Sequence, residues 1–181
     1  MKKTAFFLFL LFGSLSAAAQ LSVIPSVSAS QIINQLQGSG VQISNVQFDC
    51  DSNAYGLFQG TSELPMTNGL VLTTGYASGI IGPQTLSADS CLFHNNINGW
   101  GEFAQAFPTA TYDYCRINFS ITAIGDSLKF GFVFGSEEYP EMRKNDPAGV
   151  FISGPDPLGG QYDTLDLTWI GNPSFPVCVM N

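Results

Sequence analysis

The densest group of chemistry-bearing side chains in this sequence is Gly135-Ser136-Glu137-Glu138-Tyr139-Pro140-Glu141, followed shortly by Asn145-Asp146. Carboxylates and an amide beside backbone carbonyls are hard oxygen ligands, and calcium takes roughly six to eight of them. The segment joins two stretches with period-two apolar patterning, 127–134 and 150–153, so both ends of the connection share one rim of a sheet. On an extended backbone adjacent side chains point to opposite faces, and only one of Glu137 and Glu138 then faces the group. Continuing the parity of Phe130, Phe132 and Phe134 puts Glu138 on the core side, where an unpaired carboxylate is costly. Its candidate partners are Arg143, Lys144, Arg116, backbone amides or a metal. The expectation is a calcium ion held by Glu138 and Asp146, with Asn145 and Glu137 as further ligands, that orders the loop. A salt-bridged or hydrogen-bonded structural carboxylate is the competing reading.

Catalytic readings of the same residues are weaker. A glycoside hydrolase would need two of Glu137, Glu138 and Glu141 to flank a sugar from both sides, and clustering on one short loop argues against that. The sequence has no Gly-x-Ser-x-Gly elbow. Its single His, His94, stands beside Asp89 and Ser90 in a polar stretch that needs no catalytic explanation. No Gly-rich phosphate loop leads from a strand into a helix. The reading is therefore a binding or scaffolding module rather than an enzyme, with a glycan-active hydrolase or a carbohydrate-binding module as alternatives. Trp100, Tyr112 and Tyr114 are candidates for a sugar-stacking platform, though aromatics in a sheet protein are more often simply buried.

These residues need a scaffold, and the patterning specifies one. Ser28 or Ser30 can cap a short helix in which Ile32, Ile33 and Leu36 fall at helical spacing, before Gly38 and Gly40 end it. Beyond it the period becomes two. Val41 and Ile43 alternate, then Val46 and Phe48 resume on the other parity, which predicts a bulge at Ser44-Asn45. Shorter strands are expected at 55–59 and 69–73. A long Gly-, Asn- and Ser-rich stretch, 74–111, follows, of the kind that is functional or tied down; Cys91 favours tying. Strands return at 115–121, at 127–134 with its Leu128, Phe130, Phe132, Phe134 stripe facing the core, at 150–153 and at 164–170, with another at 177–180. Seven or eight short strands and one short N-terminal helix predict an all-β protein, a β-sandwich or jelly roll.

The first nineteen residues carry Lys2 and Lys3, an apolar run from Ala5 to Leu15 and the small residues Ala17-Ala18-Ala19, the order of a secretory signal peptide. The apolar run falls short of the roughly 20 residues a membrane-spanning helix needs, and Gln20 rather than Cys follows the expected cut. Two of the six Lys and Arg residues belong to this leader, leaving four basic against fourteen acidic residues, a net charge of −10. That balance disfavours nucleic acid, whose phosphates require clustered basic residues. Residues 20–181 suit one domain. Cys50, Cys91, Cys115 and Cys178, in an exported chain, predict two disulfides with three possible connectivities. Zinc is disfavoured by the single His and the cysteine spacing.

Several segments in order resemble the choice-of-anchor L domain. They are Gly69-Leu70-Val71-Leu72-Thr73-Thr74-Gly75, Asp113 opening a strand, Phe132-Val133-Phe134-Gly135-Ser136-Glu137-Glu138-Tyr139-Pro140-Glu141, Asn145-Asp146, and Phe151-Ile152-Ser153-Gly154-Pro155. The resemblance runs from the helix near Ser28 to the end. It implies an exported bacterial surface or secreted protein, a family in which members differ in their C-terminal anchoring signals and whose biochemical activity is largely undefined. The end of this chain resembles a segment that precedes further strands, so a domain truncated at its C-terminus is expected. The partners in view are glycans or surface proteins, with no membrane insertion of the mature chain.

Overall fold

The computed structural model describes residues 21–81, 112–136, 146–156, 158–168 and 177–178. The chain is all-β, and among the described residues seven strands and one short α-helix occur: β1 (Ser22–Pro25), α1 (Ala29–Leu36), β2 (Val41–Asp49), β3 (Tyr55–Gln59), β4 (Asn68–Leu72), a 3-10 turn (Ala77–Ile81), β5 (Arg116–Ala123), β6 (Phe151–Pro155) and β7 (Gln161–Asp166). The ladders are all antiparallel: β1-β3-β4 form one sheet, β2-β5 a second and β6-β7 a third.

Helix α1 starts where the sequence places it. Ser28 Oγ accepts a hydrogen bond from the Gln31 amide, and Gln31 Oε1 accepts one from the Ser28 amide at 2.9 Å, a reciprocal cap of two otherwise unpaired donors. Ile32 is fully buried (0% exposed) and forms the centre of the core with Val27 and Tyr55. Leu36, Val46, Phe48, Leu57, Leu70 and Ile117 pack against that centre, so the helix closes over residues from all but the last sheet. Phe48 stacks on Tyr55 with ring centroids 4.6 Å apart. Burial, assisted by the Asp51 carboxylate, pushes the Tyr55 phenol above its usual range.

The expected bulge in β2 is present. The register passes from Ser44↔Ser120 to Gln47↔Asn118, so β2 carries one extra residue. Asn45 adopts φ 55°, a left-handed conformation that Asn tolerates better than most residues, and its Nδ2 donates to Ser120 Oγ at 3.3 Å. The extra residue accounts for the change of parity between the buried Ile43 and the pair Val46 and Phe48, which packs against the core centre. A second bulge in β7 brings Thr164 to φ 56° opposite Ile152–Gly154. Two glycines are dictated by contact: a Cβ on Gly56 would lie 2.6 Å from the Ile24 carbonyl, and one on Gly69 would lie 2.8 Å from the Phe58 ring.

The strand expected at 127–134 is not formed. Residues 124–136 belong to no ladder, and Phe130 and Phe132 are 48% and 49% exposed rather than in the core. Their rings remain same-side neighbours, 6.2 Å apart, as extended i, i+2 spacing requires. Alternation thus fixed which side chains share a side but supplied no partner strand. The apolar face of β5 is likewise open toward Phe119 and Ile121. Strand β1 was not anticipated, because four residues with a terminal Pro25 give too short a pattern. Of the strand expected at 177–180, residues 177 and 178 are among those described: Cys178 makes an isolated bridge with Pro147, and the Ala148 amide donates to the Val177 carbonyl at 3.0 Å.

Candidate functional site

Asp146 is the member of the proposed calcium set that the structure describes; Glu137, Glu138 and Asn145 lie outside the described residues. Asp146 is half-buried and directly precedes the Pro147–Cys178 bridge, which fixes its backbone. The scaffold around it differs from expectation. The 127–134 segment expected to climb to a shared rim is not a strand, and the strand after the loop, β6, pairs with β7. Among the described residues, no group of three or more His, Cys, Asp or Glu side chains is placed to hold a metal ion.

The aromatic platform divides. Tyr112 is 77% exposed whereas Tyr114 is 8% exposed. In a regular strand the two would share a face, but Asp113 between them adopts φ 56° and turns the chain. The Arg116 guanidinium carbon lies 5.9 Å from the centre of the Tyr114 ring, a cation–π distance. Tyr114 therefore belongs to the scaffold, and Tyr112 is the residue a partner could reach. Trp100 lies outside the described residues.

The best-defined polar constellation is one that sequence reasoning had not assembled. Cys50 and Cys115 form a disulfide at the end of the β2–β5 ladder, beside the last register pair Asp49↔Arg116. Arg116 Nη2 donates to Asp49 Oδ2 at 3.1 Å, and Cys115 Sγ lies 3.6 Å from the Ala54 carbonyl oxygen. Asp51 caps the adjoining turn by accepting from the Asn53 amide at 2.8 Å. The half-exposed ion pair contributes at most about 1 kcal/mol, so the covalent bond dominates this corner. Of the three connectivities open from sequence, only one contains Cys50–Cys115. Cys178 is buried and forms no disulfide among the described residues, and Cys91 lies outside them. The signal that could have selected this pair was the opposite charge of Asp49 and Arg116, each adjacent in sequence to one of the two cysteines.

A second polar knot closes β7. Thr168, 2% exposed, donates from both its amide and its hydroxyl to Asp166 Oδ1, at 2.8 and 2.6 Å, while the Val150 amide donates to Thr168 Oγ1 at 3.4 Å. It satisfies a buried hydroxyl and ties the start of β6 to the end of β7. These are structural duties.

The family model for the choice-of-anchor L domain matches residues 20–181. The chain belongs to the choice-of-anchor L domain family. Choice-of-anchor L domains form a family of surface-associated bacterial proteins rather than of enzymes. With the Cys50–Cys115 disulfide, membership makes this an extracytoplasmic protein. No described helix is long and apolar enough to cross a membrane. Neither the curated proteins nor the solved structures contain a match to this choice-of-anchor L domain. Within the domain, the Gly69–Leu72 segment is β4, where Gly69 yields room to the Phe58 ring, and Phe151–Pro155 is β6.

Proposed function

We propose that this domain is an exported binding or scaffolding module that presents an adhesive surface to glycans or surface proteins, after removal of a leader at residues 1–19. The observation that carries the reading is Tyr112, a large aromatic side chain exposed to solvent and only three residues from the disulfide at Cys115. A clamped, exposed aromatic offers contact area with little ordering entropy, the quality that makes Tyr effective in recognition. Trp100 is the proposed second member of that platform. The acidic loop adds a calcium ion, with Glu138 and Asp146 as carboxylate ligands and Asn145 and Glu137 completing the set, in the role of ordering the segment before β6.

The test is a binding screen of the purified domain against immobilised glycans and bacterial or host surface proteins, followed by Tyr112→Ala and Trp100→Ala on any partner found. A loss of affinity of at least tenfold with an unchanged unfolding midpoint is expected for Tyr112→Ala. Binding that is indifferent to both substitutions would remove the platform from the mechanism, and turnover of a polysaccharide that stops with Glu138→Gln would replace the binding reading with hydrolysis.

A further inference from the structure

The β6–β7 ribbon carries aliphatic side chains on the side that faces solvent. Ile152 stands opposite Leu165 and Phe151 opposite Asp166, and the Leu167 amide donates to the Val150 carbonyl at 2.8 Å, which continues the pairing by one step. Opposite residues share a face, as do residues two apart on one strand. Val150, Ile152, Leu165 and Leu167 therefore line one side, and Phe151 and Asp166 the other. An antiparallel ribbon ordinarily turns apolar residues in and polar ones out, but here Leu165 is 45% exposed, Leu167 38% and Val150 36%, whereas Thr168, next in the alternation after Asp166, is 2% exposed. A contiguous aliphatic face left in water, unlike a single exposed side chain, marks a place of contact. Both ends of the ribbon are fastened. Thr168 bonds to Asp166 and to the Val150 amide at one end; at the hairpin end Asp156 Oδ1 accepts from the Leu158 amide at 2.8 Å and the Asp156 carbonyl accepts from the Gly159 amide at 2.9 Å. A face already rigid loses little freedom when it is covered.

Charge selects the occupant. Residues 146–168 contain Asp146, Asp156, Asp163 and Asp166 and no Lys or Arg. A second copy of the chain would bring the same carboxylates against themselves, and an anionic lipid surface would be repelled in the same way. We propose that this face docks a basic polypeptide segment of another protein, one in which aliphatic side chains recur among Lys or Arg. Its apolar side covers Val150, Ile152, Leu165 and Leu167, and its cations meet Asp163, an exposed residue two positions before Leu165, and Asp156 at the hairpin end. Leu158, 96% exposed at that end, extends the apolar contact beyond the strands. The proposal rests on the reading above only in that the domain binds proteins, and it uses none of the residues of the Tyr112 platform.

The test is isothermal titration of the full protein with three short synthetic peptides, one alternating Leu and Lys, one alternating Leu and Glu, and one alternating Ser and Lys. The Leu-Lys peptide should bind, with an affinity that falls as salt is raised. The Leu-Glu peptide should not bind, and the Ser-Lys peptide should bind at least about tenfold more weakly for want of apolar contact. Leu165→Ser combined with Leu167→Ser should weaken the Leu-Lys peptide by at least about tenfold while unfolding stays cooperative. Asp163→Asn, at an exposed position, should weaken it and flatten its salt dependence, a readout that a merely loosened fold would not move. Tyr112→Ala should bind the peptide as the parent does, so that this face and the platform are read separately. No binding of the Leu-Lys peptide, equal binding of the Ser-Lys peptide, or an affinity indifferent to the two Leu substitutions overturns the proposal and leaves the Tyr112 platform standing. A dimer of the parent in sedimentation that the doubly substituted protein does not form overturns it in favour of a second copy on this face.

Discussion

At the scale of single residues, Tyr55 and Asp146 give the sharpest tests. Tyr55 is buried beneath the Phe48 ring, and its phenol is pushed above the usual value of 10.0 by burial first and by Asp51 second. A raised acid favours the folded state while the group is neutral. Its contribution is therefore complete below about pH 10 and is lost as pH climbs from there through the folded-state value. Tyr55→Phe should flatten that alkaline part of the stability profile, measured as urea midpoints between pH 8 and pH 11 (roughly the window that brackets the ordinary phenol). An unchanged slope would show that another group titrates there. For Asp146 the measurement is thermal unfolding with calcium and with chelator, on the parent and on Asp146→Ala. A ligand that binds only the native state must raise the midpoint. The parent should rise with calcium and the variant should not; a single midpoint in all four conditions would end the calcium proposal. The helix cap and Ile32 were readable at this scale because both depend on neighbours within one turn. The division between Tyr112 and Tyr114 was not, since it turns on the left-handed Asp113 backbone, and nothing in the side-chain pattern announces that.

Among the elements, β2 shows how a parity break in sequence becomes geometry. The switch from Ile43 to Val46 and Phe48 demanded one extra residue, and Asn45 at φ 55° supplies it opposite β5. Asn45→Val should destabilise the domain by about 1–3 kcal/mol, because a β-branched side chain resists a left-handed backbone. Asn45→Gly should be tolerated to within about 1 kcal/mol. Denaturant unfolding of the two variants decides it, and equal losses would mean that the Asn45 hydrogen bond to Ser120, rather than the backbone, matters. The 127–134 segment shows the limit of the same reasoning. Its alternation is as clear as that of β5, yet β5 has β2 as a ladder partner and 127–134 has none among the described residues. A strand's period is local; its pairing is not.

For the molecule as a whole, the Cys50–Cys115 bond joins positions 65 residues apart and fastens the β2–β5 ladder to the turn before β3. Closing a loop of that length restricts the unfolded chain by about 4 kcal/mol in the chain-entropy account. Cys50→Ala with Cys115→Ala should lower unfolding stability by about that amount without abolishing the α1 and β3 core, which is held by Val27, Ile32 and Tyr55. A reductant should bring the parent to the level of the double variant in urea unfolding, and a loss below about 1 kcal/mol would place the constraint elsewhere. The sequence by itself determined what depends on short range and on composition. It specified the all-β class, the capped helix, the β2 bulge and the ordered motifs that mark family membership. Tertiary structure alone decided which cysteines meet, which apolar stripe finds a partner strand, and which tyrosine faces solvent. Each of these requires knowing which residues distant in the chain become neighbours, and period and propensity carry no record of that.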